Sequence, residues 1–281
     1  MTQVECPACG SLPTGPMRRR GGGLYNHCPA CATQWRPEGA TFHNYNSDYF
    51  HNRAHNDTDS SVSRAKLQTF RRFWRTITST EPSGPILEIG CSAGLALRAG
   101  LEAGLDVYGF DVTKDILPLV QANGVGPERV AVGNLADIPN RNYAVCAFFD
   151  SFEHVPEPGP FLDRLAEVLA PDCLLLMVLP MADTLSNHLL GGLWPHYLPD
   201  HWVHYTKKGL TTLLNARGFT LKHWFYPAKK VPAQMVRRHV AMRWPWAAKL
   251  VCGNASLWFN IGERGSLWKR TGRPFSGTPA K

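Results

Sequence analysis

Short apolar segments alternate with helical segments from residue 85 onward, and this alternation constrains the fold more than any other feature of the 281-residue chain. Apolar segments predict strands at 86–90, 106–110, 129–132, 144–149 and 173–179, with helices at 94–103, 113–123 and 159–170. A later helix at 206–217 is followed by another strand. Strands joined by helices form parallel sheets that are covered on both faces. The predicted fold class is therefore α/β, with an open, doubly wound sheet.

The loop after the first predicted strand has the pattern acid-x-Gly-x-x-x-Gly, from Glu88 to Gly94. Its glycines allow a sharp turn and a close approach to a ligand. The loop lacks the Gly-x-Gly-x-x-Gly pattern that cradles a pyrophosphate, and it lacks the Gly-Lys-Ser/Thr of a phosphate loop. Asp111 ends the second predicted strand, where an acid accepts hydrogen bonds from ribose hydroxyls. These features favour a nucleoside ligand without a pyrophosphate, such as S-adenosylmethionine (SAM).

On these motifs the sequence resembles the Rossmann-like, class I SAM-dependent methyltransferases, and more narrowly the small-molecule group that includes the quinone O-methyltransferases. The matching segments span about 85–220 and include ILEIGCSAG, VYGFDVT, GNLADIP, FFDSFEHVPEPGPF and DHWVHYTKKGL. The resemblance implies a methyltransferase whose cofactor contacts are Glu88, Gly90, Cys91 and Gly94 in the first loop, Asp111 at the ribose, Asn134 and Leu135 at the adenine, and Asp150 and Ser151 at the sulfonium. Glu88 departs from the commoner Asp, which affects the loop little.

Segment 41–80 begins with polar and aromatic residues and becomes helical from about Ser61. In the family resembled here, the N-terminal segment often closes over the cofactor. Tyr45, Tyr49 and Phe50 are therefore expected to form a lid, since aromatic faces attract a sulfonium cation. The alternative is that these rings only pack the helix onto the sheet.

Four histidines follow the fourth and fifth predicted strands: His154, His196, His201 and His204. An acceptor hydroxyl must lose a proton during methyl transfer, and histidine is the usual base near neutral pH. The expected base is His201 first, with His154 and His204 as further candidates. His154 can equally be structural, and His201 and His204 can equally cap the next helix or bind substrate. The aromatic segment 181–205 is expected to form the acceptor pocket.

Four of the eight cysteines form two CPAC motifs near the N-terminus: Cys6 with Cys9, and Cys28 with Cys31. Such pairs in a chain with no secretion signal indicate metal ligands rather than disulfides. Four thiolates suit one tetrahedral zinc ion, and so small a segment would depend on the metal for its folding energy. A structural zinc ribbon is therefore predicted, with two turns that carry free thiols as the alternative.

Positive charge is concentrated in the last part of the chain. The formal net charge is +8, and residues 229–281 hold eleven Lys or Arg residues and one acid, Glu263. Three interpretations remain open. The tail completes the sheet with SLWKRT as its last strand, it lies on anionic lipid with Trp244, Trp246 and Trp258 among the headgroups, or it binds nucleic acid.

The predicted organisation is a zinc ribbon at 1–40, a helical lid or linker at 41–80, a methyltransferase core at 81–228 and a basic tail at 229–281. The longest apolar run is too short to span a membrane and the N-terminus lacks a signal-peptide stretch, so a cytoplasmic protein is expected.

The leading hypothesis is O-methylation of a small-molecule or glycan acceptor in a biosynthetic pathway. The alternatives are a ribosomal-RNA base methyltransferase, favoured by the Arg18–Arg20 run and the basic tail, and a non-catalytic cofactor-binding partner protein.

Overall fold

The computed structural model describes residues 5–14, 18–20, 23–37, 61–80, 82–233, 236–237, 246, 249 and 256–271. The strands within these residues are β1 (Arg18–Arg20), β2 (Gly23–His27), β3 (Gln34–Trp35), β4 (Ile86–Ile89), β5 (Val107–Asp111), β6 (Val130–Val132), β7 (Tyr143–Phe149), β8 (Leu169–Pro180), β9 (Val203–His204), β10 (Phe219–Phe225), β11 (Lys229–Pro232), β12 (Ser256–Phe259) and β13 (Glu263–Arg270). The α-helices are α1 (Ser61–Thr78), α2 (Leu95–Glu102), α3 (Leu117–Ala122), α4 (Pro158–Leu165), α5 (Leu185–Leu190) and α6 (Lys207–Asn215).

The central sheet has seven strands in the order β10-β13-β8-β7-β4-β5-β6. The strands from β8 to β6 run parallel, whereas β13 runs antiparallel to both of its neighbours, β8 and β10. All four residues of β4 are buried, as expected for a strand with both faces covered. The predicted α/β, doubly wound sheet is therefore confirmed. The carboxyl ends of β4, β5 and β7 lie at one edge of the sheet, where ligands bind in such folds.

Helix α1 packs against α2, as its helical spacing of apolar residues predicts. Its Trp74 is fully buried and donates a hydrogen bond from Nε1 to the carbonyl oxygen of Ala96 over 2.7 Å. The Trp74 ring meets the Phe149 ring edge-on, with 5.1 Å between centroids. Gly100 permits the close packing of α2 against both β5 and Trp74, because a Cβ there would lie 2.5 Å from Val107 Cγ2 and 3.3 Å from Trp74 Nε1. Helix α1 is thereby fixed beside the strand ends that form the candidate site.

Three predicted elements differ from the structure at their ends. The helix predicted at 159–170 ends at Leu165, and β8 begins at Leu169 rather than at Cys173. The start of β8 pairs with Tyr143 of β7, a long-range contact that local periodicity does not reveal. The helix predicted at 113–123 begins with a 3₁₀ turn over Lys114–Ile116 before α3.

The first and last parts of the chain are joined to the core. Strands β1, β2, β3 and β9 form a second sheet, so the cysteine module pairs with residues that follow β8. Strands β11 and β12 form a two-stranded antiparallel sheet, β11 lies beside α1, and β13 lies inside the central sheet. The segment boundaries at 40, 80 and 228 remain predictions. The predicted lid residues Tyr45, Tyr49 and Phe50 lie outside the described residues. None of the described helices combines the length and hydropathy needed to cross a bilayer.

Candidate active site

The glycine loop after β4 has the conformation that its sequence predicts. Gly90 has φ 78° and Gly94 has φ 74°, values in the left-handed region that residues with a Cβ rarely adopt. A Cβ at Gly90 would lie 2.6 Å from Cβ of Ser151. Glycine at position 90 therefore keeps the loop against the end of β7 and leaves its backbone open to a ligand.

Two acids flank this loop. Asp111 ends β5 and accepts hydrogen bonds from the backbone N–H groups of Ser92, over 2.9 Å, and Val112, over 2.8 Å. Burial raises the pKa of Asp111 and raises that of Glu88 well above its usual value, with the nearby Asp111 charge adding to the effect on Glu88. Glu88 Oε2 is buried and has no hydrogen-bond partner among the described residues. Both carboxyl groups thus offer oxygens to a ligand that carries hydroxyl or amino donors.

The predicted cofactor residues surround one cavity of about 920 Å³. Its walls include the following described members of that set: Glu88, Gly90, Cys91, Asp111, Asn134, Leu135, Asp150 and Ser151. Gly94 does not line the cavity, although its neighbours Ala93 and Leu95 do. Helix α1 and strand β11 close the other side with Phe70, Lys230 and Val231, among others. The cavity is large enough for a nucleoside cofactor together with a small acceptor.

The end of β7 connects the cofactor side of the cavity to a group of paired charged side chains. Ser151 donates a hydrogen bond to the carbonyl oxygen of Ile89 over 2.7 Å, which ties β7 to the glycine loop. Asp150, with φ 52°, accepts a hydrogen bond from Lys229 Nζ over 2.5 Å. Lys229 also lies 2.8 Å from Glu263 Oε1, so one ammonium group bridges two carboxylates. The Glu263 carboxylate in turn lies 3.4 Å from His196 Nε2.

Three of the four candidate histidines line the cavity: His154, His196 and His201. His154 and His201 meet edge-on, with 4.8 Å between ring centroids, and His201 Nε2 lies 3.8 Å from Glu153 Oε1. The ligand atoms of Glu153, His154 and His201 lie within 4.8 Å of one another, a set that can share a metal ion or a proton. Burial, with the Asp150 charge nearby, raises the pKa of Glu153 well above its usual value.

His204 lies apart from the cavity. It is fully buried between aromatic rings, including those of Tyr25 and Trp194, and its Nε2 lies 2.9 Å from the carbonyl oxygen of His196. Burial lowers the pKa of His204 to about 3. The structure therefore places His204 as a support for the segment that carries His196, rather than at the surface an acceptor would contact.

The sequence patterns did not identify three groups at this site: Glu153, Lys229 and Glu263. Glu153 precedes His154 in a segment whose histidine alone suggested chemistry. Lys229 and Glu263 belong to the basic tail, where Lys229 is one of many cations and Glu263 is the lone acid. The signal was available, since a single acid among eleven basic residues is a candidate for a buried ion pair.

The two CPAC motifs come together as predicted. The four cysteine sulfurs lie within 4.8 Å of one another, with 3.6 Å between those of Cys6 and Cys31 and 3.4 Å between those of Cys9 and Cys28. The contact between these two thiols lowers the pKa of Cys31 and raises that of Cys6, because one proton is held between them. Four converging thiols fit a tetrahedral zinc centre with four cysteine ligands.

The cysteine module contacts the acceptor side of the cavity directly. Strand β3 pairs with β9, and Thr206 donates a hydrogen bond to the carbonyl oxygen of Cys31 over 2.5 Å. Arg36 donates to the carbonyl oxygens of Trp202, over 3.0 Å from its backbone N, and Pro199, over 2.6 Å from its Nη1. The segment that carries His196 and His201 is thus held between the module and the core.

The glycine loop, the acid at the end of β5 and the sheet order define the class I, Rossmann-like nucleoside-binding fold. Residues 38–223 match the protein family described as the methyltransferase domain, and the chain belongs to that family. Solved structures agree on the fold. The magnesium protoporphyrin IX methyltransferase of Synechocystis PCC 6803, solved with bound S-adenosylhomocysteine (SAH), is 16% identical with a TM-score of 0.52, over 79% of this chain and 94% of that one.

Sequence relatives match a shorter region. The ubiquinone biosynthesis O-methyltransferases of Idiomarina loihiensis and Bordetella avium are each 28% identical over 92 residues, which is 31% of this chain and 38% of each relative. The chain therefore matches well under half the length of these relatives. The prediction of a class I SAM-dependent methyltransferase is confirmed at the level of family and fold.

Proposed function

We propose that the protein transfers a methyl group from SAM to a hydroxyl of a small-molecule or glycan acceptor. The observation that carries this proposal is that both sets of groups line the same cavity. The glycine loop and Asp111 form one part of its wall, and His154, His196 and His201 form another. One side offers the contacts of a nucleoside cofactor, and the other offers groups that accept a proton. The ubiquinone biosynthesis O-methyltransferases among the relatives support a hydroxyl acceptor.

The cofactor residues proposed are those predicted from the resemblance. Asp111 would accept hydrogen bonds from the ribose, and the buried Glu88 oxygen would accept one from the methionine part. Asn134 and Leu135 would flank the adenine, and Asp150 and Ser151 would lie near the sulfur. When bound, SAM supplies a methyl group on a positively charged sulfur. The residues of this chain hold the acceptor oxygen in line with that methyl group, take its proton and exclude water.

We also propose that Cys6, Cys9, Cys28 and Cys31 bind one structural zinc ion. The convergence of four sulfurs supports this assignment. The metal would act away from the reaction, by ordering the module that supports the acceptor segment. Contact of the tail with RNA or with anionic lipid stays a prediction, as does a cytoplasmic location.

The first test is a calorimetric titration of the purified protein with SAH. The wild type and the Asp172→Ala control, which changes an exposed acid, are expected to bind equally. Asp111→Ala removes a charged acceptor of hydrogen bonds, so binding should weaken by about tenfold to a hundredfold. Absence of SAH binding by the wild type would refute the proposed function. Equal binding by all three proteins would remove Asp111 from the site.

A further inference from the structure

Two histidines of the cavity wall are each paired with a buried carboxyl group, and the two carboxyl groups differ in their own partners. His196 Nε2 lies 3.4 Å from Glu263 Oε1, and His201 Nε2 lies 3.8 Å from Glu153 Oε1. The imidazole rings of His196 and His201 are nearly parallel, with 6.2 Å between centroids. Of the three histidines that line the cavity, these two have a carboxyl group beside Nε2, and the surroundings of each carboxyl group decide between them.

Glu263 is held as an anion. Burial alone would raise its pKa, but Lys229 and His196 outweigh burial and hold the pKa of Glu263 well below its usual range. Its Oε2 accepts a hydrogen bond from the backbone N–H of Ile261 over 3.0 Å, which fixes the carboxylate plane. An anchored carboxylate stabilises a positive charge that develops on the imidazole beside it.

Glu153 has the opposite character. It is fully buried, its carboxyl oxygens have no hydrogen-bond partner among the described residues, and its pKa lies well above the usual value. A carboxyl group that no hydrogen bond from the described residues holds in place, and that lies 3.8 Å from its histidine, gives that histidine less support than Glu263 gives His196 at 3.4 Å. The pair of His201 and Glu153 is therefore the weaker acceptor of a proton.

We propose that His196, positioned by Glu263, is the general base that takes the proton of the acceptor hydroxyl. This assignment rests on the proposed function, and it replaces His201, which the sequence favoured. Glu263 is a positioning residue that acts through His196, and Lys229 holds Glu263 and Asp150 in place. His204 fixes the backbone of His196 by contacting its carbonyl oxygen.

The ring orientation determines which nitrogen reacts. Nε2 of His196 lies beside Glu263, which leaves Nδ1 as the nitrogen that receives the proton. As the oxygen lone pair forms the new bond to the methyl carbon, the bond from that carbon to sulfur breaks and its electron pair stays on sulfur. The proton moves from the acceptor oxygen to Nδ1, and the imidazolium that results is stabilised by Glu263. The titratable groups around His196 are Glu263, Lys229, Asp150, His154, His201 and His204.

The test compares two phenols in a methyl-transfer assay with labelled SAM. Catechol keeps its proton at neutral pH and needs a base, whereas pentafluorophenol is already ionised and needs none. His196→Ala should lower turnover of catechol by about a hundredfold or more and should change turnover of pentafluorophenol little. His188→Ala, which removes an exposed histidine outside the cavity, should leave both rates unchanged. SAH titration of each variant checks that the cofactor side is intact.

Glu263→Gln provides a readout that a merely structural role would not move. Loss of the anion removes the charge that stabilises the protonated imidazole, so turnover of catechol should fall while turnover of pentafluorophenol changes little. Glu128→Gln, at an exposed acid, is the matched control and should leave both rates unchanged.

Each other outcome overturns the assignment. An equal loss with both phenols in His196→Ala would show that His196 binds the acceptor rather than taking its proton. A larger loss of catechol turnover in His201→Ala than in His196→Ala would make His201 the base. A wild type that binds SAH but methylates neither phenol would refute a phenolic hydroxyl acceptor and the base with it. A wild type that does not bind SAH would refute the proposed function itself.

Discussion

We expect Lys229 to stabilise the folded protein through its ion pairs with Asp150, which follows β7, and with Glu263, which begins β13. Lys229→Met keeps the length of the side chain and removes its charge, which leaves two carboxylates without a cation at 2.5 and 2.8 Å. The Asp150 side chain is 39% exposed, so water can replace its partner, but the Glu263 side chain is only 5% exposed. Breaking one buried pair costs about 3–5 kcal/mol. Because only Glu263 is deeply buried, we expect a loss of about 3 kcal/mol.

The loss should depend on pH. The lowered pKa of Glu263 in the wild type means that its ionised form stabilises the fold above the unfolded value of 4.5, and that this contribution is lost as the pH falls toward the folded value. In Lys229→Met the carboxylate is buried without its cation, so protonation relieves the cost. The difference between variant and wild type should therefore shrink as the pH falls from neutral to below 4.5.

Urea denaturation followed by tryptophan fluorescence measures these differences. The double variant with Glu263→Gln removes the charges of Lys229 and Glu263 and should recover most of the lost stability, since the remaining carboxylate, that of Asp150, is 39% exposed and water can solvate it. The reasoning would be refuted by a deficit under about 1 kcal/mol, by a deficit that is the same at all pH values, or by strictly additive effects in the double variant.

Two further substitutions test the cofactor loop and the cysteine module. Gly90→Ala would place a Cβ 2.6 Å from Ser151, so SAH binding should weaken by about tenfold or more. The control is Gly104→Ala, since Gly104 has a similar positive φ but a Cβ there would meet no other atom within 4 Å. Equal SAH binding by the two variants would contradict the steric argument. Cys28→Ser should lose bound zinc and lower the unfolding temperature, whereas Cys252→Ser should keep its metal; full metal content in Cys28→Ser would exclude the assignment of four cysteine ligands.

The cofactor side of the site could be predicted because its residues stand in short local patterns. The run from Glu88 to Gly94 encodes a turn, and the position of Asp111 at a strand end follows from the same periodicity that predicts the strand. Local patterns also predict the convergence of the four cysteines, because each CPAC turn places two thiols on one side.

The acceptor side could be predicted only in outline. Lys229 pairs with Asp150 across 79 residues of sequence, and Glu263 reaches the site from a strand that inserts between β8 and β10. Such contacts depend on strand order, which residue types alone do not fix. The sequence predicts that the four histidines lie in one region, but their burial and partners, which separate His196 from His204, follow from the tertiary fold.

The insertion of β13 between β8 and β10 has a consequence for how the protein is made. Strand β10 leaves the ribosome well before its partner, so during synthesis β8 and β10 each present an unpaired edge that can pair with another chain. Glu263 is the first residue of β13, and its carboxylate completes the contacts of Lys229 and His196. Closing the sheet and assembling the charged wall of the cavity are therefore one late event, and a nascent chain that has not reached this strand has neither a protected edge nor a working site.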